Sequence, residues 1–143
     1  MLKNIILLYL LTIISCKTAK HNSTPLGAPS TSPMSCRVAG KVIEIMNVYD
    51  ADTGSLCSKY PCRAKVKIVS LPACGSSVTQ ALSVGDTIEV RFVYTLHKTA
   101  TLFPVMKAQY PGLKKGQTFK ADAEQRIAPG MNGAFIVFGY EVE

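Results

Sequence analysis

The sequence predicts an all-β fold, a small five-stranded barrel built from residues 35–143. Two observations carry that expectation. Between residues 63 and 142, apolar and polar side chains alternate with a period of two in four separate runs, the mark of strands with one buried face. Gly85-Asp86, Gly116 and Pro129-Gly130-Met131-Asn132-Gly133 punctuate the later runs as turns. With a less regular Val- and Ile-rich run before them, these make five strands. Strands that are apolar on one face must close on themselves or find a cover.

The first strand, Arg37 to Val48, has Val42, Ile43 and Ile45 at its centre, and its broken alternation predicts a bend or bulge at Gly40. In the second, Arg63 to Leu71, Arg63, Lys65 and Lys67 share one face and Ala64, Val66 and Ile68 the other. The third, Thr87 to Leu96, turns Ile88, Val90, Phe92, Tyr94 and Leu96 inward. The fourth, Thr118 to Ile127, sets Phe119, Ala121, Ala123 and Ile127 against Thr118, Lys120, Asp122, Glu124 and Arg126. The fifth, Ala134 to Val142, places Ala134, Ile136, Phe138, Tyr140 and Val142 on one face.

The longest connection between the later strands runs from His97 to Lys115. It has room for a short helix, and Leu102, Phe103, Val105, Met106 and Tyr110 are enough to plug a barrel end. Three strands, a long connector and two more strands is the order that resembles the OB-fold. A small β-sandwich and another five- or six-stranded barrel are the rival architectures. The opening SCRVAGKVIEI is also similar to netrin-like modules, which are cysteine-bearing OB barrels; that resemblance implies an inhibitor- or chaperone-type module acting on another protein.

The chain opens with MLKNIILLYLLTIISCKTAK. Lys3 gives a basic start, and Ile5 to Ile14 is far shorter than the roughly 20 apolar residues of a membrane-spanning helix. It matches the apolar region of a secretory signal. Ile13-Ile14-Ser15-Cys16 resembles the lipobox of bacterial lipoproteins. The resemblance implies removal of residues 1–15, acylation of Cys16, and anchorage of the mature chain to a membrane of the bacterial cell envelope. Lys17 stands where an Asp would imply retention at the inner membrane, so the outer membrane is the implied destination. Several acyl chains anchor stably, each buried methylene contributing about 0.8 kcal/mol. Residues 16–34, rich in Ser, Thr, Pro and Gly, read as the lipidated cysteine and a flexible tether. Asn22-Ser23-Thr24 fits a glycosylation pattern by chance, and His21 lies in the tether.

With Cys16 lipidated, Cys36, Cys57, Cys62 and Cys74 remain, an even number in an exported chain. Three pairings exist. An antiparallel hairpin of the first two strands puts Cys36 opposite Cys74 and leaves Cys57 and Cys62 to close the ring CSKYPC in its loop. Cys-x-x-Cys spacing is missing, which disfavours a zinc or redox site.

The formal net charge is +7, and residues 35–143 hold 13 Lys and Arg against 9 Asp and Glu, a net +4. That excess suits anionic lipid or acidic glycan, or solubility alone. Asp50-Ala51-Asp52-Thr53-Gly54-Ser55 begins like a calcium loop but then carries Gly, Ser and Pro where further ligands belong, so it reads as a turn. No hydrolase motif occurs, and His97, the one histidine of the folded part, has no sequence neighbour to orient it. Asp122 and Glu124, flanked by Lys120 and Arg126, read as an ion-pair ladder. No cofactor, metal or catalytic residue is expected.

OB barrels bind on the face of strands two and three with the 1–2 and 4–5 loops. Here that surface comprises Arg63, Lys65, Lys67 and Arg91 with Tyr49, Lys59 and Tyr60, and Met131-Asn132 across from them. Phe92 and Tyr94 point inward and the chain has no Trp, so the stacking partners nucleic acid needs are missing. The expected partner is another envelope protein or an anionic glycan.

Overall fold

The computed structural model describes residues 31–126 and 135–143. Five strands are present: β1 (Ser35–Met46), β2 (Arg63–Cys74), β3 (Thr87–Phe92), β4 (Thr118–Gln125) and β5 (Phe135–Val142). They close into a barrel in the order β1-β2-β3-β5-β4. Every neighbouring pair is antiparallel except β3 and β5, which run parallel. The fold is the OB-like barrel that the sequence predicts. The connector holds no helix beyond the three-residue 3₁₀ turn Thr99–Thr101. Among the described residues no helix is long and apolar enough to cross a membrane.

Alternation dictates the interior. Ala64, Val66 and Ile68 of β2, Ile88, Val90 and Phe92 of β3, and Phe119, Ala121 and Ala123 of β4 are all buried. Phe92 stands edge-on to Phe119 (5.4 Å) and to Tyr140 (5.8 Å) at the centre. Burial raises the Tyr140 phenol above its ordinary pKa, and its oxygen accepts the Gly112 N–H at 3.1 Å. Gly40 is where β1 bends: its register against β2 shifts on both sides of Ala39, and a Cβ at this position would overlap Val66. Only glycine leaves room there for the Val66 side chain of the neighbouring strand.

Both cysteine pairs form. Cys36–Cys74 bridges β1 to the end of β2, with Cα atoms 4.0 Å apart, and Cys57–Cys62 closes the ring in the β1–β2 loop. Residues 32–34, expected in the tether, are already fastened to the barrel. Ser77 N–H donates to Pro33 O, and Gln125 N–H to Met34 O.

Several expectations are corrected. β1 ends at Met46, and β3 stops at Phe92 rather than Leu96. Thr95 adopts φ +73°, a conformation a β-branched residue rarely takes. Its hydroxyl donates to Pro61 O at 2.8 Å and the Leu96 N–H reaches the same oxygen at 3.1 Å. The chain leaves the sheet there to clasp the disulfide ring. In β5 the predicted inward face is right for Tyr140 and Val142 and wrong for Phe138, while Ile136 is buried but lies outside the central cluster. A bulge lets three steps of β5, Val137 to Tyr140, face two steps of β4, Ala123 to Ala121. Phe135 and Val137 therefore fill the core and Phe138 is exposed. Gly139 sits in the bulge with the Tyr110 hydroxyl 2.5 Å from where a Cβ would be.

The connector plugs the barrel with Leu96 and Leu113, both buried, and with Tyr110 stacked on Tyr140 at 4.9 Å. Val105, expected in that plug, is 94% exposed. Thr99, fully buried, closes the intervening loop by accepting the Tyr110 N–H at 2.7 Å and donating to Gln109 Oε1 at 3.1 Å.

Candidate functional site

The predicted surface begins in the β1–β2 loop, residues 47–62. Short-range polar chemistry shapes it. The Gly54 N–H donates to Asp52 Oδ1 at 2.9 Å, making the turn that Asp-x-Gly favours. Ser55 caps the 3₁₀ turn Leu56–Ser58 by accepting the Cys57 N–H, and donates its own hydroxyl to Asp50 Oδ2 at 2.9 Å. The stretch that begins like a calcium loop thus spends its carboxylates on turn and strand partners. Cys57–Cys62 then returns the chain to β2, and the Phe92 N–H donates to Cys62 O at 2.7 Å. Tyr60 rests against the His97 ring at 5.2 Å.

Arg91 joins this loop to the sheet. Its guanidinium donates to Asp50 Oδ2 at 2.7 Å, with both side chains largely buried. Arg63, directly opposite Arg91 across the β2–β3 pair, is bound to Glu89 at 3.2 Å. Lys65 is bound to Glu44 at 2.9 Å. The Lys65 hydrogen bond first, and its charge second, hold the Glu44 carboxyl below its ordinary pKa. That contribution exists above the ordinary Glu range and is lost as pH falls through the lowered value. Three of the four strand cations expected to form a basic surface are therefore neutralised. Lys67 has no carboxylate within 4.0 Å among the described residues.

What the loop end presents instead is apolar. Val48, Tyr49 and Phe138 are 43%, 49% and 44% exposed. A depression of about 250 Å³ is lined by Leu56 of this loop, by Val93, Ile136 and Phe138, and by Arg91 and Arg126. Arg126 lies over the Phe138 ring at 5.6 Å and is bound to Glu124 at 3.1 Å. Sequence reasoning missed Ile136 and Phe138 because strict alternation puts them inside. Gly139 is the residue that signals the reversal. Of the predicted surface, Tyr49, Lys59, Tyr60, Arg63 and Arg91 gather at the loop end. Lys65 and Lys67 lie further along β2. Met131-Asn132 and Cys16 fall outside the described residues.

A second depression, about 1020 Å³, opens over β1, β4 and β5 on another side of the barrel. Its charged groups engage one another: Asp122 takes both Arg37 nitrogens at 2.9 and 3.2 Å, and Lys120 is bound to Glu143 at 2.7 Å. Asp122 therefore belongs to the predicted ion-pair ladder, with its partner across the sheet on β1. Each pairing raises the cation's pKa. Comparison of the chain with protein-family models, with curated proteins and with solved structures finds no match.

Proposed function

We propose that this chain is a lipid-anchored protein of the bacterial envelope, held at Cys16 and destined for the outer membrane, whose barrel is a non-enzymatic binding module for another envelope protein. One observation carries the choice of partner class. The β1–β2 loop carries exposed Val48 and Tyr49, and exposed Phe138 lines a small depression together with Leu56 of the same loop, while Arg63, Lys65 and Arg91 are already paired. Aromatic side chains on a rigid rim, with neutralised charges behind them, are what a protein interface uses for its central contacts. An anionic glycan would need free positive charge on that face. The inhibitor- or chaperone-type role implied by the netrin-like resemblance uses the same loop. Its other element, the Cys36 edge, is fully buried, so the 49–62 loop alone would make the contact.

The test is site-specific photo-crosslinking in intact cells. A photoreactive residue at Tyr49 or Phe138 is expected to trap one protein species of defined mass, and Tyr60→Ala to weaken the product. The same probe at Val105 should trap nothing. Equal labelling at all three positions, or at none, would remove the proposal. Palmitate labelling of wild type and Cys16→Ala tests the anchor separately.

A further inference from the structure

The outer face of the barrel holds one row that the loop end does not use. The pairing of β1 with β4 ends at Lys41, which lies opposite Thr118 of β4 and Lys67 of β2; Lys67 in turn lies opposite Thr87 of β3. The row across four strands therefore reads Thr118, Lys41, Lys67, Thr87. Both lysines are exposed. Directly opposed like charges on one sheet face destabilise a strand pair. Among the described residues neither lysine has a carboxylate within 4.0 Å. The neighbouring carboxylates are engaged elsewhere: Glu44 by Lys65, and Asp86 by the Ser83 N–H at 2.7 Å.

Two turns flank the row. On one side Gln117 braces the turn that presents Lys114 and Lys115, accepting the Lys114 N–H at 2.7 Å, and the Gly116 N–H donates to Val42 O. Lys115 is close enough to act on the Glu44 carboxylate. On the other side Ile68 receives the Gly85 N–H and donates to Asp86 O, fixing a turn whose tip is Val84, 64% exposed. A Cβ at Gly85 or Gly116 would meet no atom within 4 Å, so the outer side of each turn is open.

We propose that this corner is a foot that rests on an anionic bilayer, with Lys41, Lys67, Lys114 and Lys115 against phosphate head groups and Val84 in the interfacial layer. The charge is lysine throughout, a hydrated point charge suited to a diffuse surface rather than to bidentate capture of one anion. Neither depression described above includes these residues. An exposed apolar tip beside a basic cluster is the arrangement that partitions into a charged membrane surface. The part of the tether not fastened to the barrel, residues 16–31, can span at most about 55 Å, which lets the foot touch the membrane that holds the anchor. The setting rests on the anchored reading, but the contact itself does not depend on it.

All five strands and both disulfides lie within residues 35–143, where the barrel closes on itself, so residues 17–143 without acyl chains suit the test. The measurement is cosedimentation with vesicles of phosphatidylethanolamine alone or mixed with phosphatidylglycerol. Binding is expected only to the mixed vesicles and to fall with added salt. Lys41→Gln with Lys67→Gln should weaken it roughly thirty-fold, the effect of two lysines at such a surface. Lys114→Gln with Lys115→Gln, in a turn outside the sheet, should weaken it comparably, and Tyr49→Ala or Tyr60→Ala should leave it unchanged. Equal binding to both vesicle types, full binding by both lysine double variants, or capture by a soluble anionic polysaccharide with none by vesicles would overturn the proposal.

Discussion

The outer face of β1, β2 and β3 divides into two halves with opposite habits of charge. Toward the loop end, Arg63, Lys65 and Arg91 each hold a carboxylate. Toward the corner, Lys41 faces Lys67 with none within 4.0 Å among the described residues. One strand, β2, carries both patterns two residues apart. Opposed unlike charges stabilise a strand pair and opposed like charges destabilise it. Arg63 also faces Arg91 across the β2–β3 pair, but each is bound to a carboxylate, so the loop half offsets its opposed cations and the corner half does not. A count of basic residues along β2 does not distinguish the halves; their carboxylate partners do.

The disulfides break the comparison most strongly. Cys36→Ser with Cys74→Ser releases a loop of sequence separation 38 and should cost about 4 kcal/mol in urea unfolding, whereas Cys57→Ser with Cys62→Ser, separation 5, should cost about 2 kcal/mol. Only the second change should raise amide exchange in residues 47–62 while leaving the Lys41 and Lys67 amides protected. A smaller effect follows from Asp50→Asn, which weakens the hold on Arg91 and Ser55 and should lower stability by about 1.5 kcal/mol, again loosening the loop alone. The smallest effect has the opposite sign. Lys67→Glu turns a repulsive pair into an attractive one and should raise stability by roughly 0.2–1 kcal/mol. A destabilising Lys67→Glu would mean that the two halves do not differ as described.

Much of this architecture was legible in the residues. The period-two runs located β2 and β4 closely, and Gly40 marked the bend in β1. The disulfide pairing followed from hairpin geometry, although the register between β1 and β2 shifts three times along the way. Those shifts arise where β1 turns, which no local pattern measures. Phe138 was assigned inward because strict alternation cannot show a bulge. The bulge exists where Tyr110, far away in sequence, needs room at Gly139. Alternation carries the third strand through Thr95 to Leu96, and two bonds to Pro61 O end it earlier. The paired state of Arg63, Lys65 and Arg91 was hidden for a similar reason. Asp50 lies in a loop, and only the folded chain brings it to Arg91.

The parallel contact between β3 and β5 registers only three residue pairs, Val90 with Phe135 through Phe92 with Val137. Before β5 emerges, β3 and β4 each present a bare edge, and the cavity around Phe92 and Phe119 lies open between them. A chain whose first four strands have paired therefore stays a partly exposed sheet until this fifth segment arrives to zip both seams at once. Its most vulnerable interval is the wait for that closure, when any protein able to shield two unpaired edges would decide between folding and aggregation.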